Sequence, residues 1–157
     1  MKKFPWITYA AWILLAEAVG GLAGWLTREG TKLYTESIVQ PPLSPPAIVF
    51  PIVWAVLYAL MGVSAARIWM APPSGDRRLG LRLFAGQLAF NFFWSIIFFD
   101  LQWFGFALVW LVALWALIAA MVLVFYRVEL LAARLQLPYL VWVAFAGYLN
   151  AGVWLLN

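Results

Sequence analysis

The stretch WFGFALVWLVALWALIAAMVLVFY, residues 103–126, decides how this chain must be read. It carries no charge and exceeds the roughly 20 apolar residues that an α-helix needs to cross a bilayer. Working outward, four more stretches have the same character: 137–156 after it, and 80–99, 47–70 and 6–26 before it. The expected fold class is an all-α membrane protein, a single domain over residues 1–157 built as a five-transmembrane-helix bundle. Composition agrees. The chain is 67% hydrophobic and 10% charged, against about 45–50% and about 25% in soluble domains. A soluble fold of this length could not cover so much apolar surface with so few charges.

The connections differ. Residues 27–46 form the one long loop, polar at first and then proline-rich, and 71–79 contain Pro72-Pro73-Ser74-Gly75. Residues 100–102 are so few that the helices they join must be antiparallel neighbours, and 127–136 read as a short amphipathic link. Lys and Arg near the helix ends set orientation. Lys2, Lys3, Arg67, Arg77, Arg78, Arg82, Arg127 and Arg134 fall on the amino-terminal side, and Arg28 and Lys32 on the other, eight against two. The N-terminus is therefore expected in the cytoplasm, and the C-terminus and long loop outside. A competing reading takes Lys2, Lys3 and Ala16-Glu17-Ala18 as a cleaved signal peptide. The apolar run continues to Leu26, longer than a signal core needs, which favours a retained helix.

With no Cys and no His, the chain lacks disulfides, thiolate or imidazole metal ligands, Ser/His/Asp triads and the usual haem axial ligands. No metal site and no catalytic residues are expected. Basic residues placed between apolar runs suit membrane orientation and not nucleic-acid binding; the bilayer is the expected surrounding.

Polar groups inside the membrane cost free energy unless satisfied, so they point to function. Gln87, Asn91, Trp94 and Phe98, at offsets 0, 4, 7 and 11, share one helical face. They could wall a cavity, or the amides could join helices by hydrogen bonds worth about 1 kcal/mol; both readings stand. Pro51, Trp54, Tyr58 and Met61 form a second face. Trp142, Phe145, Ala146 and Leu149 form a third, with Asn150 beside it. Trp6, Trp25, Trp69, Trp103 and Trp154 sit near helix ends, as interfacial belt residues do, which leaves Trp54, Trp94 and Trp142 for the interior. Aromatic walls with a few amides suit a large, flat, apolar ligand. Glu17 shares a stripe with Gly20, Gly21 and Gly24 and is read first as part of helix packing, second as a proton or ligand group. Ala16, Gly20 and Gly24, and separately Gly147 and Ala151, could support contacts between subunits. The run 40–46, QPPLSPP, is stiff and is either a lid over a cavity or a rigid connector.

These residues resemble those of the TspO family, also called the translocator protein or peripheral-type benzodiazepine receptor family, in its bacterial type. The matching segments are Pro45-Pro46, FPIVWAVLY at 50–58, GQLAFN at 86–91 with Trp94, Phe98 and Phe99, AARL at 132–135, PYLVWVAFA at 138–146, and Leu149-Asn150. The resemblance spans the last four helices. It implies a tryptophan-rich bundle in the bacterial inner membrane, a homodimer, binding porphyrins such as protoporphyrin IX or haem. No cofactor is required. The ligand residues it implies are Trp54, Gln87, Asn91, Trp94, Trp142, Phe145, Ala146 and Leu149, with Pro45 and Pro46 at the base of the lid. Two departures matter. Leu43 stands where the family commonly has Trp, and the end, VWLLN at 153–157, lacks the basic residue of the animal sterol motif. A sensor or transporter of tetrapyrroles is the expected function. Light-dependent porphyrin degradation is one alternative, although no general acid/base pair or activated nucleophile is visible. A structural or partner-binding role is another.

Overall fold

The computed structural model describes residues 5–157, and Lys2 and Lys3 of the charge count lie outside them. Among the described residues the order is α1 (Pro5–Leu26), α2 (Arg28–Ser37), α3 (Val49–Trp69), α4 (Gly75–Ser95), α5 (Phe104–Val128), α6 (Leu130–Leu135) and α7 (Leu137–Leu156). A π-helical turn, Ile96–Asp100, prolongs α4. Five spans are long and apolar enough to cross a membrane: α1, α3, α4 with its π turn, α5, and α6 with α7.

Local chemistry sets the helix boundaries. Pro72 and Pro73 cannot continue α3, and Ser74 caps α4 by accepting the Arg77 backbone N–H at 3.0 Å. Glu129 caps α6, its Oε1 accepting from Leu131 N at 2.8 Å and Ala132 N at 3.3 Å. Its other oxygen pairs with Arg67, which also donates to the Tyr9 hydroxyl at 3.1 Å. One carboxylate thus ties α1, α3 and α6 together at one end. Pro138 occupies the first turn of α7, where its missing N–H costs nothing.

In lipid the helices gain little from apolar burial as such, so close van der Waals contact must hold them. The spacing of buried residues reflects this. On α5, Leu111, Leu114, Ile118, Met121 and Phe125 face inward at alternating steps of three and four, while Val109, Val112 and Leu123 face out. Helix α1 seats mainly on α3. Gly62 allows this, because a Cβ there would run into the Ile13 backbone. Helices α4, α5 and α7 form the other side, and α3 meets α7 through rings, Trp54 against Trp142 (6.5 Å) and Tyr139 (6.2 Å).

Three expectations are corrected. The segment 27–46 is not irregular throughout, since α2 occupies its first half with Gly30 and Tyr34 turned inward. Ala16 is fully buried against its own bundle and cannot contact a second subunit. Gly20 does pack closely, against the Tyr58 ring, but a Cβ at Gly21 or Gly24 would meet nothing within 4 Å. Those two glycines open space instead of closing a helix pair. The end-of-helix tryptophans Trp6, Trp25, Trp69, Trp103 and Trp154 are all exposed.

Candidate functional site

Between α1, α2, α3, α4 and α7 the bundle encloses a cavity of about 800 Å³, within the range of small-molecule sites. Glu17, Gly20, Gly21 and Gly24 of α1 supply one wall, where the missing side chains of Gly21 and Gly24 make room. Phe50, Trp54 and Tyr58 of α3 supply the next. Trp94, Phe98 and Phe99 come from α4, where the π turn delivers the two phenylalanines. Trp142, Ala146 and Leu149 of α7 close the circuit.

The walls are held from behind. Trp94 stacks on Phe98 at 5.0 Å and donates through Nε1 to Asn150 Oδ1 at 3.1 Å. Asn150 Nδ2 then donates to the Phe104 carbonyl at 2.8 Å. Under the cavity runs a directional chain of 2.7 Å bonds. The Tyr58 hydroxyl donates to Asn91 Oδ1, Asn91 Nδ2 to the Tyr139 oxygen, and the Tyr139 hydroxyl to Gln87 Oε1. It links α3, α4 and α7 and fixes the Tyr58 ring that forms the floor.

Pro45, Pro46 and Ala47 form the roof. Two anchors on α7 and one beyond its end hold the segment down. The Tyr148 hydroxyl donates to the Pro42 carbonyl at 2.7 Å, and Gly152 accommodates Pro41 in a contact that a Cβ would block. Asn157 pairs with Val39 through both amide atoms, at 3.0 and 2.8 Å. The run is therefore a tethered cover. Leu43, at φ 69° and 82% exposed, points away, so its side chain takes nothing from the lining. From α2, Tyr34 is buried against Phe98 and Phe99 (5.5 and 5.4 Å), and burial pushes its phenol above the usual range.

Of the residues expected at the site, Trp54, Trp94, Trp142, Ala146, Leu149, Pro45 and Pro46 line the cavity together. Gln87 and Asn91 do not: beneath the floor both ends of the Asn91 amide are taken by Tyr58 and Tyr139, and the Gln87 oxygen accepts from Tyr139. Phe145 lies on the far side of Trp142, in an apolar groove between α3 and α7 with Ile52, Val56 and Leu60. Four lining residues, Arg28, Thr31, Tyr34 and Thr35, belong to the unforeseen α2. The inward spacing of Gly30 and Tyr34 was their available signal. Among the described residues three buried donors, Trp142 Nε1, Gln87 Nε2 and Gln136 Nε2, have no acceptor within the protein; of these, Trp142 belongs to the cavity lining. Among the described residues no group of His, Cys, Asp or Glu could hold a metal ion.

Residues 9–155 match the model of the TspO/MBR family. A translocator protein from Bos taurus is 37% identical over 96% of this chain and 90% of its own length. Protein CrtK from Rhodobacter capsulatus is 36% identical over 96% and 94%. A tryptophan-rich protein TspO from Chlorobaculum tepidum is 37% identical over 96% of each.

Proposed function

The chain belongs to the TspO/MBR family of integral membrane proteins, and on that premise we propose that it binds porphyrins or similar flat tetrapyrroles and serves as their membrane sensor or transporter. The observation that carries this reading is the roofed cavity itself. Its volume of about 800 Å³ and its walls of Trp54, Trp94 and Trp142 suit a large conjugated ring, which gains from offset or edge contacts with aromatic faces. The unpaired Trp142 Nε1 offers one donor to a polar ligand edge. Relatives carry the names translocator protein and tryptophan-rich sensory protein, in keeping with a role in sensing or transport.

Titration of the detergent-solubilised protein with protoporphyrin IX should quench tryptophan fluorescence to saturation. Trp54→Ala and Trp142→Ala should each weaken binding by about tenfold, the loss of roughly one good aromatic contact. Phe145→Ala, outside the cavity, should leave it within about twofold. Equal titrations for all four proteins would overturn the proposed site.

A further inference from the structure

The cavity lining includes two formally charged side chains, Arg28 and Glu17. Arg28 lies at the outer end, where its guanidinium donates to the Trp25 carbonyl at 2.7 Å and covers the Trp25 ring. Glu17 lies nine residues before Leu26, about 14 Å down the α1 axis and within the membrane span. No cation among the described residues pairs with it, for the ion pairs there are Arg67 with Glu129 and Arg127 with Asp76.

A carboxylate at such depth is expensive in hydrocarbon, and Glu17 spends none of its capacity on the helix bundle. It stands one turn before Gly20, whose missing side chain admits the Tyr58 ring, with Trp54 next to Tyr58 at 5.6 Å. A carboxylate that shares one cavity lining with Tyr58 and Trp54 combines the two features that recognise an organic cation, charge and aromatic rings able to give cation–π attraction.

We propose that the deep end of the cavity is a cation subsite, in which Glu17 receives the protonated nitrogen of a flat lipophilic amine lying against Tyr58 and Trp54. The proposal rests on the cavity being a ligand site but not on the ligand being a porphyrin. Amine selectivity then comes from α1, and Arg28 gives the outer end the opposite preference.

The test compares 9-aminoacridine, a three-ring cation, with acridine-9-carboxylate, its anionic counterpart, by tryptophan quenching in nanodiscs of zwitterionic lipid. The wild-type protein should bind the cation at least tenfold more tightly, the worth of one charge-assisted contact. Glu17→Gln should abolish most of that preference, and Glu17→Asp should keep part of it. No preference in the wild type, or the same preference in Glu17→Gln, overturns the subsite. The wild-type ratio alone decides the matter should the variant fail to fold. Protoporphyrin IX titrated into the same samples separates the two readings. Porphyrin binding without amine preference removes the subsite alone, and amine preference without porphyrin binding removes the tetrapyrrole reading alone.

Discussion

Asn91 shows how one side chain can be placed on the right face of a helix while its neighbour stays open between a cavity and another helix. Its spacing with Gln87 and Trp94 puts all three on the inward face of α4, and all three are buried. Whether an inward amide meets a cavity or another helix depends on partners elsewhere in the chain, here Tyr58 and Tyr139. Trp94 was legible as a wall because its bulk leaves few alternatives; for the amides the sequence offered both readings and could not choose. Leu43 is similar. The replacement of an aromatic residue was visible in sequence, but the left-handed backbone that turns this position outward was not. Asn91→Leu removes an acceptor and a donor at once and leaves two buried hydroxyls short of partners. It should cost about 1–3 kcal/mol, read as a lower midpoint of thermal unfolding in detergent, whereas Phe145→Leu should change little.

At the scale of elements, the five spans were legible because the length and apolarity of a transmembrane helix are set by the bilayer and not by packing. Helix α2 was hidden. It is only ten residues long and mostly polar, and its inward pair Gly30 and Tyr34 gains meaning from α4's end, where a Cβ at Gly30 would meet the Phe99 carbonyl. Glycines also divide by element. Gly62 seats α3 on the Ile13 backbone, while Gly86 on α4 has open space around it. Gly62→Ala should therefore destabilise by about 1–3 kcal/mol through overpacking. Gly86→Ala should stabilise by up to about 1 kcal/mol through helix propensity. Paired thermal melts check both signs, and a neutral Gly62→Ala would mean that α1 sits farther from α3.

For the whole molecule, the distribution of arginines and the fold agree on which ends lie together. Arg67 reaches Tyr9 and Glu129, and Arg127 approaches Asp76, so the basic groups of α3, α4 and α5 gather at the end where α1 begins. The roof and α2 lie at the other end. The charge bias predicts that basic end in the cytoplasm, and the cavity is then expected to open outward. The chain has no Cys, so single cysteines report sidedness directly. In intact bacterial cells, Glu36→Cys should react with an impermeant maleimide once it can pass the outer barrier, and Pro73→Cys only after the inner membrane is broken. The reverse pattern would invert the protein. That α1, α3, α4 and α7 enclose a single space could not be read from any one helix. Each shows a face, but the space exists because Gly21 and Gly24 leave it unfilled and Pro45 and Pro46 cover it. The most direct test of that space as a ligand site is a structure of the protein determined with protoporphyrin IX. The macrocycle is predicted between Trp54, Trp94 and Trp142 beneath Pro45 and Pro46; a ring resting in the outer groove beside Phe145, or on the lipid-facing surface with the cavity empty, would contradict the account.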